Sequence, residues 1–250
     1  MKTSLTFVLL ILITINSLGQ EWNDKYGSPI VVLTETNPWL MVIGSDVPTI
    51  VLYQYGDIIY KRRTKSIFEY YSNKIDTAEM QKLILSLGIT DSLIKMPEYI
   101  SATQTTDQPT NELILSFDSV YVKRVYGNLR ETEKPSQVRE NAPKYFLKVY
   151  DNLLDLTKKT GKKWFPDYVE VMLTKYSYSP EIPLKWPGTW PGLSSKMTVK
   201  RGDDLYSIYL KKENYDDLIK LIKSLKEKQA IEIDGEKFSI SYRFPYPNIR

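Results

Sequence analysis

The most unusual local sequence is Trp186-Pro187-Gly188-Thr189-Trp190-Pro191-Gly192, two Trp-Pro-Gly units four residues apart, with Tyr178 a short way upstream. Indole faces offer apolar area and CH–π contact, so such a segment can hold a sugar ring or a proline-rich peptide. The more ordinary use of the same residues is structural, because Trp is highly buried on average and Pro and Gly set turns. If the chain binds a ligand through this segment, Trp186, Trp190 and Tyr178 carry the contact. Tyrosine is abundant elsewhere, 19 of 250 residues, and much of it alternates along predicted strands, where Tyr is simply a good strand former.

Acid–base chemistry has few residues to draw on. The chain contains no His and no Cys, which excludes a Ser-His-Asp triad, a thiol nucleophile, a disulfide framework and His- or Cys-ligated metal. Carboxylates remain. Asp46, Asp57, Asp107, Asp203 and Asp204 fall in predicted loops or turns, where each has an ordinary turn role. A glycosidase needs two carboxyl groups at a set separation in space, which spacing along the chain does not show. Ser92-Leu93-Ile94-Lys95 matches the Ser-x-x-Lys string of Ser-Lys catalysis, a short match that arises often by chance. No catalytic residue, metal ligand or cofactor is assigned.

The charge balance is 34 Lys and Arg against 30 Asp and Glu, a net of +4, which is no nucleic-acid signature. Two basic runs, Lys61-Arg62-Arg63-Thr64-Lys65 and Lys158-Lys159-Thr160-Gly161-Lys162-Lys163, read as solvated ends of elements. The second is not a phosphate-binding loop, because the preceding glycine and its strand–loop–helix context are missing.

Lys2, an apolar stretch from Leu5 to Ile15 and the small residues Ser17 and Gly19 have the form of a secretory signal over 1–19. The stretch is shorter than the roughly 20 residues of a membrane span. The expectation is therefore an exported body over 20–250, periplasmic or extracellular, with no stable membrane insertion after cleavage. No Cys follows the stretch to carry a lipid.

Three amphipathic helices stand out in that body. Asp76 with Glu79 is a capping box, Ile75 and Met80 form a hydrophobic staple, and Met80, Leu83, Ile84 and Leu87 make one stripe. A second helix starts near Pro143 with Phe146, Val149, Tyr150 and Leu153 on one face. A third starts near Asn214 with Leu218, Leu221, Ile222 and Leu225. Strands are predicted at 29–35, 49–55, 58–62, 112–117, 120–126, 168–175, 205–211, 231–233 and 237–242. Gly56-Asp57 and Asp234-Gly235 mark hairpin turns. The expected fold is α+β, a mostly antiparallel sheet built of hairpins with the three helices on one face. A single domain is expected, with a possible sub-boundary near 160–166. Hairpin followed by helix occurs twice, over 49–88 and 112–160, and 90–110 and 176–196 are left irregular.

The run Leu52-Tyr53-Gln54-Tyr55-Gly56-Asp57-Ile58-Ile59-Tyr60 and its following capped helix resemble those of uncharacterised bacterial exported proteins and lipoproteins, which share an LYGDG-type hairpin. Asp107-Gln108-Pro109-Thr110 and Trp186-Pro187 are similar to the Asp-x-Pro-Thr and Trp-Pro segments of that group. Ile58 stands where the group has its second glycine. The resemblance implies export and brings no activity with it.

These residues lead to an exported, non-catalytic protein that binds a carbohydrate or protein ligand and no nucleic acid. The alternatives are a carboxylate-based hydrolase acting on envelope polysaccharide and an inhibitor of a secreted enzyme.

Overall fold

The computed structural model describes residues 23–40, 46–64, 67–130 and 136–249. The stretch 1–19, expected from the sequence to be a secretory signal, lies outside them. Among the described residues no helix is long and apolar enough to cross a membrane.

The fold is α+β, but its strands form two sheets rather than one. The first holds β1 (Pro29–Glu35), β2 (Ile50–Tyr53), β3 (Asp57–Thr64), β4 (Ile67–Lys74), β5 (Tyr99–Ser101), β6 (Thr110–Ser116), β7 (Val120–Tyr126) and β8 (Lys162–Lys163). Their order is β5-β7-β6-β1-β2-β3-β4-β8, antiparallel except where β5 joins β7. The two hairpin units foreseen over 49–88 and 112–160 enter this sheet on either side of β1.

Helices α1 (Thr77–Ser86), α2 (Asp91–Lys95), α3 (Gln137–Asn141) and α4 (Lys144–Thr157) follow their hairpins onto one face. Asp76 caps α1 and the full capping box forms, Asp76 Oδ1 accepting from Glu79 N at 2.7 Å. In α4 the foreseen stripe is buried: Phe146, Val149, Tyr150 and Leu153 meet Leu33, Leu52, Ile58 and Tyr60 of the sheet in one core. Strand alternation supplies the sheet side, because β1 sends Val31 and Leu33 to the helices and Val32 to the opposite face.

The chain then passes into β9 (Tyr168–Lys175), β10 (Leu184–Lys185), β11 (Thr198–Lys200), β12 (Leu205–Lys211), helix α5 (Tyr215–Ser224), β13 (Ile231–Ile233) and β14 (Glu236–Arg243). The second sheet has the order β10-β13-β14-β9-β12-β11. Asp234 and Gly235 both take positive φ in the tight turn between β13 and β14, as foreseen. Helix α5 packs Leu218, Leu221 and Ile222 on this sheet, against Val169, Val171 and Phe238. The expectation of three helices over one sheet is thus corrected: two of them, α1 and α4, cover the first sheet and α5 covers the second. Pairing between distant strands, such as β1 with β6, divides the sheets, and local periodicity carries no record of it.

The last residues return to the first sheet. Tyr246 is buried beside Val32, Val51, Tyr53 and Ile59, and Tyr53 donates to the Pro247 carbonyl at 2.8 Å. Trp164 and Tyr70 pack edge-on to Tyr246, so an aromatic layer joins the two sheets.

The irregular stretch 90–110 contains α2 and β5. Strand β4, absent from the sequence reading, pairs with β3 along its whole length from Asp57↔Lys74 to Thr64↔Ile67.

Candidate functional site

The Trp-Pro-Gly segment is packed into the second core. Trp186 is buried and its Nε1 donates to the Pro191 carbonyl at 2.9 Å. Trp190 meets Trp186 edge-to-face with ring centroids 4.8 Å apart and is itself partly buried. The loop is fastened further by Asp234, whose Oδ2 accepts from Leu193 N at 2.7 Å. Tyr178 stands out in solvent, 95% exposed. The structure therefore brings the two indoles together as mutual packing partners and leaves Tyr178 as the open ring of the three.

The loop acids are dispersed. Asp57 is paired with Lys74 at 2.5 Å, Asp203 with Lys200 at 3.8 Å, and Asp46 accepts from Asn37 N at 2.9 Å. Burial raises the Asp46 carboxyl above the ordinary aspartate value. Asp107 sits at positive φ in its turn. Ser92 and Lys95 lie on the exposed side of helix α2, where Lys95 reaches Asp91 at 3.7 Å. Among the described residues no three acidic groups gather as a cation site would require.

Two glutamates are enclosed instead, and arginines hold both. Glu35 receives Arg130 Nε at 2.7 Å and Nη2 at 2.5 Å in a fork, with Tyr150 Oη at 2.6 Å and Thr49 Oγ1 at 2.8 Å. Burial pushes this carboxyl up, but the Arg130 bonds and charge, with Tyr150 and Thr49, outweigh it and hold the group below the usual glutamate value. Glu170 accepts from Ser207 Oγ at 2.6 Å, Arg243 Nε at 2.8 Å and Arg201 Nη2 at 3.4 Å. Carboxylates so fully engaged anchor strands rather than transfer protons.

The basic runs are also structural in part. Arg62 caps the end of α4, donating from Nε to the Thr157 carbonyl at 2.9 Å and from Nη2 to the Lys159 carbonyl at 2.7 Å, while Tyr60 Oη donates to the same Lys159 carbonyl at 2.7 Å. Lys61 points to the other face and donates to the Val47 carbonyl at 2.5 Å; burial pushes its ammonium down to about 8. Lys65 lies outside the described residues.

An open groove of about 630 Å³ runs between α1, the end of α4 and the hairpin β3–β4. That volume falls within the range of roughly 300–1,000 Å³ typical of ligand sites. Its floor is aliphatic: Ile58, Ile75, Leu83 and Leu156. Among the described residues its rim carries Lys74, Lys82 and Lys159 against one acid, Glu79, with Asn73, Ser86 and Thr160 between them. Glu79 accepts from the Asp76 backbone in the capping box, and Lys74 holds Asp57. Among the described residues Lys82 and Lys159 make no ion pair.

Gly56 fixes the groove wall. It has φ of +90°, and a Cβ at this position would lie 2.0 Å from the Ile75 carbonyl oxygen. Ile75 N donates to Gly56 O at 3.0 Å, so the β2–β3 turn is stitched to the residue that precedes the α1 cap.

Sequence reasoning named Ile75 and Leu83 as packing residues of the first helix and Ile58 as part of the hairpin, none of them as part of a site, and did not name Lys82 or Leu156. The available signal was Leu83 beside Lys82 on a capped helix, but the approach of Leu156 and Lys159 is a contact across more than 70 positions. No family model, curated protein or solved structure matches this chain.

Proposed function

We propose that the protein is an exported, non-catalytic binding protein of the cell envelope or extracellular space, and that the groove beside α1 is its binding site. The observation that carries this reading is the groove itself, an aliphatic floor under a rim where Lys82 and Lys159 have no ion-pair partner among the described residues. Positive charge at the mouth of an apolar groove raises the local concentration of anionic ligands, which supports an anionic guest. Glu170, which is buried, and Glu35, which is mostly enclosed, are committed to arginine pairs, which favours binding over a carboxylate hydrolase. Export is supported by the secretory form of 1–19 and by the resemblance to exported proteins with the same hairpin and capped helix. The Trp-Pro-Gly loop supports this protein as a brace of its second core.

The test expresses the full chain, fractionates the cells and examines the recovered protein by native mass spectrometry. The expected result is exported protein beginning at Gln20 and carrying a small-molecule adduct that Lys82→Glu with Lys159→Glu releases. Cytosolic protein retaining Met1, an adduct that the double variant retains, or hydrolysis of purified envelope polysaccharide by the wild type would each overturn the reading.

A further inference from the structure

The lining of the groove narrows the class of ligand, an inference that rests on the binding reading above. Among the described residues the lining contains no aromatic ring. Sugar rings and nucleobases are held by stacking on aromatic faces, so neither finds its usual platform here. An extended peptide would need a run of free backbone along a strand edge. The β4 edge offers little of it, since β8 pairs with Tyr71 and Ser72 and the strand ends at Lys74. What remains complementary to four branched aliphatic side chains is a flexible hydrocarbon chain. What remains complementary to Lys82 of α1 and Lys159 of the turn after α4 is a negative head group.

We propose that the groove binds an anionic amphiphile with a linear aliphatic chain, the chemistry of a fatty-acid carboxylate. The chain lies over Ile58, Leu83 and Leu156, and the carboxylate takes hydrogen bonds from Lys82 and Lys159 at the rim. Each buried methylene contributes about 0.8 kcal/mol, so a chain of several carbons gives the larger part of the affinity. The charge contact sets orientation and weakens with salt. Leu83 suits this role because it is half-buried in the free protein, and its remaining apolar surface is covered only when the groove is filled.

The test is isothermal titration of the full chain, stripped of lipid, with dodecanoate, dodecanol, hexaglutamate and phosphatidylglycerol vesicles. Dodecanoate is expected to bind, with dodecanol about tenfold weaker for want of the charged hydrogen bonds. Lys82→Glu with Lys159→Glu should lower dodecanoate affinity at least tenfold, and Leu83→Gln should lower dodecanoate and dodecanol alike. Circular dichroism and the thermal midpoint establish that each variant is folded; Lys82→Gln with Lys159→Gln is the gentler pair should the charge reversal unfold the chain. Equal affinity for dodecanol and dodecanoate, tighter binding of hexaglutamate, binding to vesicles alone, or folded variants that bind as the wild type does would overturn the proposal. If dodecanoate does not bind while the double variant still releases the native adduct, the ligand class falls and the binding reading stands. If the double variant releases nothing and dodecanoate does not bind, both fall.

Discussion

Helices α1 and α4 lie on the same face of the first sheet and sit at different depths. Helix α4 buries six side chains outright, Phe146, Val149, Tyr150, Leu153, Leu156 and Thr157. Helix α1 buries only Met80 within its span, leaves Leu83 and Ile84 half-covered and turns Leu85 out to solvent. Yet α1 has the stronger start, a complete capping box, whereas α4 begins after Pro143 with no side-chain cap. Local capping decides where a helix begins; the number of apolar side chains on one face decides how deeply it sinks. The groove occupies the space that the shallower helix leaves.

The largest expected effect tests the difference in depth directly. Phe146→Ala should cost about 3–5 kcal/mol in urea unfolding, the range for a large aromatic removed from a core. Leu83→Ala on the shallower helix should cost about 1 kcal/mol or less, because much of its surface is already wet. Equal losses would break the comparison.

Acid sharpens it next. Tyr150 on α4 donates to Glu35 on β1, so the deep helix is also tied by a charged hydrogen bond. The Glu35 carboxyl is held below its unfolded value, so its contribution to stability is full above about pH 4.5 and is lost as pH falls through the lower folded value. Tyr150→Phe should remove about 2 kcal/mol at pH 7 and flatten the loss between pH 5 and pH 2, read from denaturant midpoints across that range. A steeper acid loss in the variant would contradict the assignment.

The smallest expected effect belongs to α1. Asp76→Ala should cost about 1 kcal/mol, the usual worth of an N-cap, and Asp76→Asn should recover most of it in the same assay. A loss approaching that of Phe146→Ala would mean that α1 carries more of the core than its burial shows.

The sequence made some of this legible for identifiable reasons. Alternation in β14, with Phe238 and Ile240 facing the core and Ser239 and Ser241 opposite, is readable because one face is polar. Strand β4 was not readable, because Tyr70 and Tyr71 are neighbours that pack on opposite faces of the sheet, one in the aromatic layer and one in the helical core. Two covered faces erase the period-two signal. The Trp-Pro-Gly segment was visible as unusual, but an indole in a core and an indole on a surface are the same letter, and the burial of Trp186 in the second core, with its packing on Trp190 and its bond to Pro191, distinguishes them. The groove was the least legible, since its walls meet through contacts between 74–86 and 156–160 that no local pattern records.

The stitch between Gly56 and Ile75 bears on how readily the proposed site would take a guest. Ile58 and Ile75 hang from the two ends of that stitch, so this jaw of the slot is rigid before any guest arrives. A guest has no backbone to order on that side, and the entropy usually lost in closing a loop over a ligand is already settled by folding. On the proposed reading, entry of a guest would wait on no backbone rearrangement at this jaw, only on the swing of two lysine side chains, a motion of nanoseconds rather than milliseconds.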